Sequence, residues 1–385
     1  MPNDTMPNDA MPNDAMPDDL AFHPSNDTRT LTGHDYLSDE VFELERQRLF
    51  HGGWMFAVRA DTLQRGNRTV VDLAGESVLI TRDLDGSLHA LANVCRHRGA
   101  RLCDQHNDTG QGSLMCPYHA WTYSLDGRLI ATPHLDDSDV DKASNSLWAY
   151  HVREWHGFVF VSLANEPPPF DEWLTTHCSD LLALKRFALG DLKVAHTTVC
   201  EVAANWKIIV ENYQECLHCT RVHPELVAVI PLYRTGWVVD ATREDGGVTM
   251  AADYSTGYES GNEMPALPGL SEVDRTSYYG CTSFPNLFVD ISGTCAVVTG
   301  LFPKGPNHTT MVMEFLFAPD VIADPEFDPA PIIEFNELVA TQDNLVCERV
   351  HLGVSSRAFT HGVLTPKDAL VIAFTQHYLA ARGPL

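Results

Sequence analysis

Basic residues are scarce in this chain. Among its 385 residues, 26 lysines and arginines stand against 52 aspartates and glutamates, which gives a formal net charge of −26. A protein that binds the phosphate backbone of nucleic acids or an anionic membrane surface needs clustered positive charge. The composition therefore argues against both partners. It is compatible with a cationic substrate attracted by the field of the protein, but a strongly charged, well-solvated surface explains it more simply.

Long apolar runs are also missing. The longest, such as 158–163, have the length of a β-strand and fall far short of a membrane span. No basic segment followed by an apolar core opens the chain, so no secretory signal is apparent and we expect a cytoplasmic protein. In that compartment the ten cysteines are expected to be mostly buried thiols rather than a disulfide framework.

The N-terminal segment repeats a five-residue unit rich in proline, asparagine and aspartate. It lacks apolar residues to bury and carries no lysine, so we assign 1–30 to a disordered acidic tail. Short β-rich runs separated by turn signals such as Asp85-Gly86 then predict an antiparallel β domain over 51–163. The prolines at 167–169 mark a boundary between domains.

Helical and strand patterns mix beyond the prolines, which indicates an α+β fold. The region 170–385, joined by a helix over 39–50, is predicted to form an antiparallel sheet around a long helix. The predicted elements in order are a helix over 170–185, a strand over 192–203, a helix from 205, a loop over 254–275, strands over 282–291, 294–302 and 310–317, a helix over 330–352, and a last helix with Thr365 as its N-cap.

The stretch 205–224, NWKIIVENYQECLHCTRVHP, contains a carboxylate and two imidazoles within nine residues. Glu215 and His218 are three apart and would share one face of a helix. His223 would point elsewhere on a continuous helix, but Pro224 disfavours helical geometry just before it. We therefore expect the helix to loosen after His218, so that His223 returns to the same point. Two imidazoles and a carboxylate are typical of a non-haem Fe(II) site.

Two further motifs lie about a hundred residues upstream. Cys95-Arg-His97 and Cys116-Pro-Tyr-His119 each supply one thiol and one imidazole from a loop between strands. Such a set holds either a structural zinc ion or a Rieske [2Fe–2S] cluster, in which both histidines bind one iron. Zinc ribbons favour closer cysteine spacings, which makes the cluster the better interpretation.

The motifs CRHRG, CPYHAW, NWK, ENYQECLHC and HP, in this order, resemble those of the oxygenase (α) subunits of Rieske non-haem iron oxygenases over about 40–380. The resemblance implies an N-terminal Rieske domain and a C-terminal helix-grip catalytic domain. The spacing between the two cluster motifs is longer than usual in the family, which we interpret as a loop insertion over 105–112.

The resemblance also implies roles for individual residues. Cys95, His97, Cys116 and His119 correspond to the cluster ligands. His218 and His223 correspond to the two histidines of a mononuclear iron site.

The third iron ligand is expected on the C-terminal helix, where Asp343 matches the family position and Glu337 and Glu348 are nearby competitors. Glu215 matches the acid that links an iron-bound histidine to a cluster histidine of the neighbouring subunit. The resemblance therefore implies a homotrimer and a separate flavin or ferredoxin-type reductase. It also implies electrons that come ultimately from NAD(P)H.

Position 215 carries glutamate rather than aspartate. In this respect the sequence resembles the branch of the family that acts on quaternary ammonium compounds. That branch implies a monooxygenase that uses O₂ to hydroxylate or N-demethylate a small cation such as glycine betaine. An aromatic-ring hydroxylating oxygenase with the same metals is the alternative, whereas the intact iron set argues against a simple electron carrier. Aromatic candidates for a cation cage, each equally able to be sheet core, are Trp237, Tyr278, Tyr279, Phe284 and Phe288.

Overall fold

A computed structural model describes residues 28–104, 112–252 and 264–385. The tail predicted over 1–30 lies outside the described residues except for its last three, and the insertion predicted over 105–112 lies outside them except for Gly112. Arg29 forms a β-bridge with Val363, so this residue belongs to the fold and not to the tail predicted over 1–30.

The N-terminal part is built from antiparallel strands, as predicted. Two short helices, α1 (Gly33–Leu37) and α2 (Asp39–Glu45), precede it, and α2 continues into a π-helical turn at Arg46–Phe50. The strands are β1 (Met55–Arg59), β2 (Arg68–Leu73), β3 (Glu76–Arg82), β4 (Leu88–Ala92), β5 (Ser113–Met115), β6 (Thr122–Ser124), β7 (Leu129–Ala131), β8 (Ala149–Trp155) and β9 (Phe158–Ser162). They form a six-stranded sheet in the order β1-β9-β8-β4-β3-β2 and a three-stranded sheet in the order β5-β6-β7.

The C-terminal part has a second six-stranded antiparallel sheet and most of the helices. Its strands are β10 (Lys193–Val202), β11 (Val248–Thr249), β12 (Ser277–Ser283), β13 (Leu287–Ile291), β14 (Ala296–Gly305) and β15 (His308–Phe317), in the order β10-β15-β14-β13-β12-β11. Its helices are α3 (Phe170–His177), α4 (Ser179–Ala183), α5 (Trp206–Tyr213), α6 (Cys219–Val222), α7 (Pro224–Val229), α8 (Glu272–Arg275), α9 (Pro319–Ile322), α10 (Ala330–Val354) and α11 (Ala369–Arg382). The long helix α10 packs against α5 and β10.

The predicted α+β class is confirmed, but three predicted elements are divided. The helix over 170–185 is interrupted at Cys178, and the loop over 254–275 includes the short helix α8 in its described part. The strand over 282–291 is two strands, because Pro285 has no amide hydrogen for a sheet and lies in the turn between β12 and β13. None of the described helices is long and apolar enough to cross a membrane.

Asn286, in that turn, joins the two large sheets. Its side-chain amide donates to the carbonyl of Phe56 at 2.9 Å and accepts from the amide of Phe56 at 2.9 Å. The side-chain amide of Asn286 thus forms two hydrogen bonds with the backbone of β1, the edge strand of the first sheet, as a neighbouring strand would.

A buried ion pair fixes the helix that leads into the histidine motif. Lys207 Nζ donates to Glu45 Oε1 at 2.5 Å, and both side chains are fully buried. The same carboxylate accepts from the Tyr378 hydroxyl at 2.6 Å and from Trp206 Nε1 at 2.9 Å. Glu45 therefore connects α2, α5 and α11 through four polar groups that have no access to water.

Replacing Lys207 with methionine should destabilise the protein strongly. The substitution leaves the carboxylate of Glu45 buried without its cation, which typically costs about 3–5 kcal/mol. The free energy of unfolding in urea measures the loss. The control is Lys142→Met, because Lys142 pairs with Asp137 at an exposed site, where such a pair contributes less than about 1 kcal/mol. Equal small losses in both variants would contradict a structural role for the buried pair.

Candidate metal centres and the cavity between them and the sheet

Two histidines and an aspartate converge in the C-terminal part. Asp343 Oδ1 lies 2.8 Å from His223 Nε2 and 3.3 Å from His218 Nε2. Within the described ranges, these three residues are the one group of three or more potential ligands whose donor atoms all lie within 4.8 Å of one another. Two imidazole nitrogens and a carboxylate oxygen are the donor set of non-haem Fe(II) sites, so the chemistry of the residues fits that metal.

The backbone reaches this arrangement differently from the prediction. Helix α5 starts at Trp206 with Asn205 as N-cap, whose side chain accepts from the amide of Lys207, and it ends at Tyr213. The break therefore precedes His218 instead of following it. Glu215 and His218 still meet, with Oε1 and Nδ1 2.6 Å apart, but they do so across a turn rather than along a helix.

The effect of Pro224 is as predicted. His223 leaves helical geometry with φ −122° and ψ 67°, and Pro224 occupies the first turn of α7. His223 thus lies in the joint between α6 and α7, from which its ring turns back towards His218, with the ring centroids 5.1 Å apart.

Asp343 comes from the face of α10 that lines the cavity. Asn336, Val339, Ala340 and Asn344 line it from the same face, with the spacing of one helical stripe. The two competitors are engaged elsewhere, because Glu337 accepts from the Thr198 hydroxyl and Glu348 accepts from the amide of Ala203.

Neighbouring groups orient both imidazoles. His218 Nδ1 faces Glu215, and His223 Nδ1 lies 2.7 Å from Gln342 Oε1, which suits protons on both Nδ1 atoms and directs both Nε2 atoms towards Asp343. Burial opposes protonation of His218, but its hydrogen bonds to Asp343 and Glu215 raise its pKa to about 9. A metal cation bound by the two Nε2 atoms would take the place of a proton there and leave the Nδ1 protons in their hydrogen bonds. Gln342 was not predicted, although it directly precedes Asp343.

A disulfide brackets the turn that carries His218. Cys216 and Cys219 are bonded to each other, with their Cα atoms 4.9 Å apart. The other eight cysteines form no disulfide in the described structure and, apart from the half-buried Cys200, are buried. The expectation of mostly buried thiols is therefore confirmed, with this pair as the exception.

The two upstream motifs form a pair of loops with the same hydrogen-bond pattern. The amide of Cys95 donates to the carbonyl of Ala100, and the amide of Cys116 donates to the carbonyl of Trp121, five residues on in each case. Gly99 and Ala120, four residues after each cysteine, both have positive φ and donate back to the cysteine carbonyl. The two loops that carry the cysteine motifs therefore form the same type of turn.

These loops present two buried thiols and two exposed imidazoles. Cys95 and Cys116 are buried, whereas the rings of His97 and His119 lie 4.7 Å apart at the surface. Among the described residues the four do not converge on one point as the His218 group does, which disfavours a single zinc ion. A two-iron cluster with cysteines on one iron and histidines on the other suits two separate pairs.

Tyr123 is a contact that the sequence did not reveal. Its hydroxyl lies 3.3 Å from Cys95 Sγ and accepts from the amide of Arg96 at 3.0 Å. Hydrogen bonds to ligand sulfurs help to set the potential of an iron–sulfur cluster, so Tyr123 is placed to influence a cluster bound here.

A cavity of about 530 Å³ extends from the histidine group to the sheet. Tyr278, Phe284 and Phe288, three of the five predicted cage candidates, line it, whereas Trp237 and Tyr279 do not. Tyr213 and Tyr233 also line it and were not predicted. The volume accommodates a small organic substrate beside the candidate iron ligands.

Comparisons with known proteins agree with this geometry. A family model described as a Rieske [2Fe-2S] domain matches residues 53–150, and one described as the catalytic domain of the ring hydroxylating alpha subunit matches residues 189–382. The glycine betaine monooxygenase oxygenase subunit of Chromohalobacter salexigens is 30% identical over 364 residues, which cover 85% of this chain and 80% of the relative. The carnitine monooxygenase oxygenase subunit of Acinetobacter pittii is 34% identical over 357 residues, which cover 90% and 84%.

The fold is also that of a solved structure. A quaternary ammonium Rieske monooxygenase, described with carnitine oxidation and inter-subunit electron transfer, superposes with a TM-score of 0.77 at 24% identity, over 92% of this chain and 96% of the other.

Replacing Asp343 with alanine should remove the mononuclear iron and abolish turnover. Iron analysis is expected to fall by about one iron per chain, from about three, while the visible spectrum of the cluster stays unchanged. Glu337→Ala and Glu348→Ala are matched controls on the same helix and should keep the full iron content. Retained iron and activity in the Asp343 variant would show that another group completes the site.

Proposed function

Because the chain belongs to the quaternary ammonium Rieske non-haem iron monooxygenases as an oxygenase subunit, we propose that it oxidises a small quaternary ammonium compound. The candidate substrates are glycine betaine, a related betaine and choline. The reaction would be hydroxylation of a carbon next to nitrogen, which leads to N-demethylation, or oxidation of an alcohol carbon. The predicted domains, 51–163 for the cluster and 170–385 with helix 39–50 for catalysis, belong to this proposal.

The observation that carries the proposal is the position of the histidine group in the wall of the aromatic cavity. His218, His223 and Asp343 are the residues that would hold the iron, and Cys95, His97, Cys116 and His119 those that would hold the cluster. When bound, the iron activates O₂ for insertion into a C–H bond and the cluster supplies the electron. The aromatic faces of the cavity suit a cation that has left water.

A transfer of electrons between subunits is part of the proposal. His97 and His119 are exposed, which supports a cluster whose histidine side faces the protein surface. Glu215 contacts His218 with one carboxylate oxygen while its side chain stays 18% exposed, so a neighbouring subunit can reach it. A head-to-tail trimer would bring the two surfaces together, and the similar solved structure is described with inter-subunit electron transfer. The electrons would come from NAD(P)H through a separate reductase.

Calorimetric binding to the iron-loaded protein tests the substrate class. Quaternary ammonium compounds should bind with saturation at micromolar to millimolar concentration, because the aromatic cavity replaces their hydration shell. The panel contains choline, glycine betaine, carnitine and benzoate. Binding of benzoate alone would contradict the proposal and favour the alternative, an aromatic-ring hydroxylating oxygenase.

Replacing Glu215 with glutamine should slow electron transfer and leave both metals in place. The neutral amide holds His218 less firmly and cannot bridge two imidazoles as a carboxylate does. We expect oxidation of the reduced cluster, followed in a single turnover by stopped-flow absorbance, to slow by about 10- to 100-fold. The control is Glu225→Gln, because Glu225 accepts from Nε2 of Gln342, the amide atom opposite the one that contacts His223, and should not alter the rate. A normal rate in the Glu215 variant would exclude the bridging role.

A further inference from the structure

A carboxylate that takes no part in the candidate metal site lies in the wall of the cavity. Asp290 is on β13, two residues after Phe288, so both side chains share the face that lines the cavity. The hydroxyl of Tyr213 donates to Asp290 Oδ1 at 2.5 Å, and the hydroxyl of Tyr278 donates to the same oxygen. Within the described chain no hydrogen bond reaches Oδ2, which therefore keeps its full capacity to accept or to face a positive charge.

The neighbouring strand is shaped for this arrangement. Gly280 of β12 is the cross-strand partner of Asp290. A Cβ atom at Gly280 would lie 2.9 Å from the Tyr213 hydroxyl and 3.2 Å from the Tyr278 hydroxyl, so any other residue would push the two phenols away. The absence of a side chain at Gly280 thus gives both hydroxyls access to Asp290.

Aromatic rings surround this carboxylate. The ring of Tyr213 stacks on that of Phe288, with centroids 4.3 Å apart and an angle of 13° between the planes. Tyr233 meets Tyr278 edge to face at 6.5 Å. The faces and edges of four rings therefore lie around one negative charge, which is the combination that binds an organic cation removed from water.

The described residues of the cavity wall offer no strongly basic side chain to a substrate carboxylate. No lysine or arginine is among the described residues that line the cavity. The segments outside the described ranges, 1–27, 105–111 and 253–263, contain neither residue in the sequence. Apart from the candidate iron ligands, the lining histidines are His177 and His377, and burial lowers the pKa of both, that of His177 to about 4, so they are neutral at pH 7.

From these observations we infer that the cavity binds a small ammonium cation without a carboxylate group, and that Asp290 is the anion that pairs with it. The inference rests on the proposed function and narrows it, because glycine betaine and carnitine are zwitterions whereas choline carries only the positive charge. A zwitterion would bring its carboxylate into a cavity that is lined by acidic groups and has no lysine or arginine among its described lining residues.

The ionisation of Asp290 agrees with this assignment. Burial raises its pKa to about 6, although the hydrogen bonds from Tyr213 and Tyr278 act in the opposite direction. A carboxylate that burial makes costly to ionise gains most from a cation placed beside it.

The test compares two ligands of one shape in the holoenzyme, loaded with cluster and iron. Choline and its uncharged isostere 3,3-dimethylbutan-1-ol differ chiefly in the positive charge. Isothermal titration should give the wild-type protein at least about tenfold tighter binding of choline than of the isostere, and than of glycine betaine. Asp290→Asn keeps an oxygen for both phenols and removes the charge. This substitution should weaken the binding of choline by about tenfold and leave the binding of the isostere unchanged.

The matched control is Asp180→Asn, which removes a charge from an exposed residue of the cavity lining and should change choline binding little. Equal weakening of choline and of the isostere by Asp290→Asn would mean that Asp290 only supports the fold. Wild-type binding of glycine betaine as tight as that of choline would overturn the inference and leave the proposed function standing, and this comparison needs no variant. Failure of every ammonium compound to bind would overturn the proposed function itself.

Discussion

The candidate iron site depends on a carboxylate and two imidazoles that are held together by elements 120 residues apart in the chain. The protein meets this constraint by fixing both elements separately. The buried pair of Lys207 and Glu45 anchors α5, and the packing of α10 against α5 and β10 places Asp343 opposite the joint between α6 and α7. Glu215 and Gln342 then set the ring orientations, so that both Nε2 atoms face Asp343, the arrangement that a shared metal ion needs.

The sequence predicted those parts of the structure that follow from local spacing. The motifs at Cys95 and Cys116 indicated two equal loops because each motif is read within five residues, and Pro224 indicated a joint because proline restricts the residue before it. The same local rules failed at Tyr213, where α5 ends without a Gly or Pro signal because the following residues turn into the cavity wall. They failed again at 282–291, where the alternating pattern continued across the turn at Pro285.

The surroundings of Asp290 lay beyond prediction from the sequence for a physical reason. Tyr213, Tyr278 and Asp290 come from a helix and two strands: the pairing of β12 with β13 brings Tyr278 to Asp290, and the packing of α5 on the sheet adds Tyr213. The net charge of −26 is compatible with attraction of a cation but does not locate a binding place. In the structure, acidic residues also predominate locally. The cavity contains the carboxylate of Asp290, one oxygen of which accepts no hydrogen bond from the described residues, and it has no lysine or arginine among its described lining residues. The long-range electrostatic field and the local site thus both favour a positively charged substrate.

Oxidation of an organic cation at this iron site is tested most directly by a single turnover without any reductase. Protein with a reduced cluster and bound Fe(II), which together supply the two electrons that one monooxygenation consumes, is mixed with O₂ and one substrate. Products are quantified by mass spectrometry against the iron content. The account predicts that choline is oxidised in an amount that approaches one product per mononuclear iron, while benzoate gives none. Oxidation of benzoate with no conversion of any ammonium compound would contradict it.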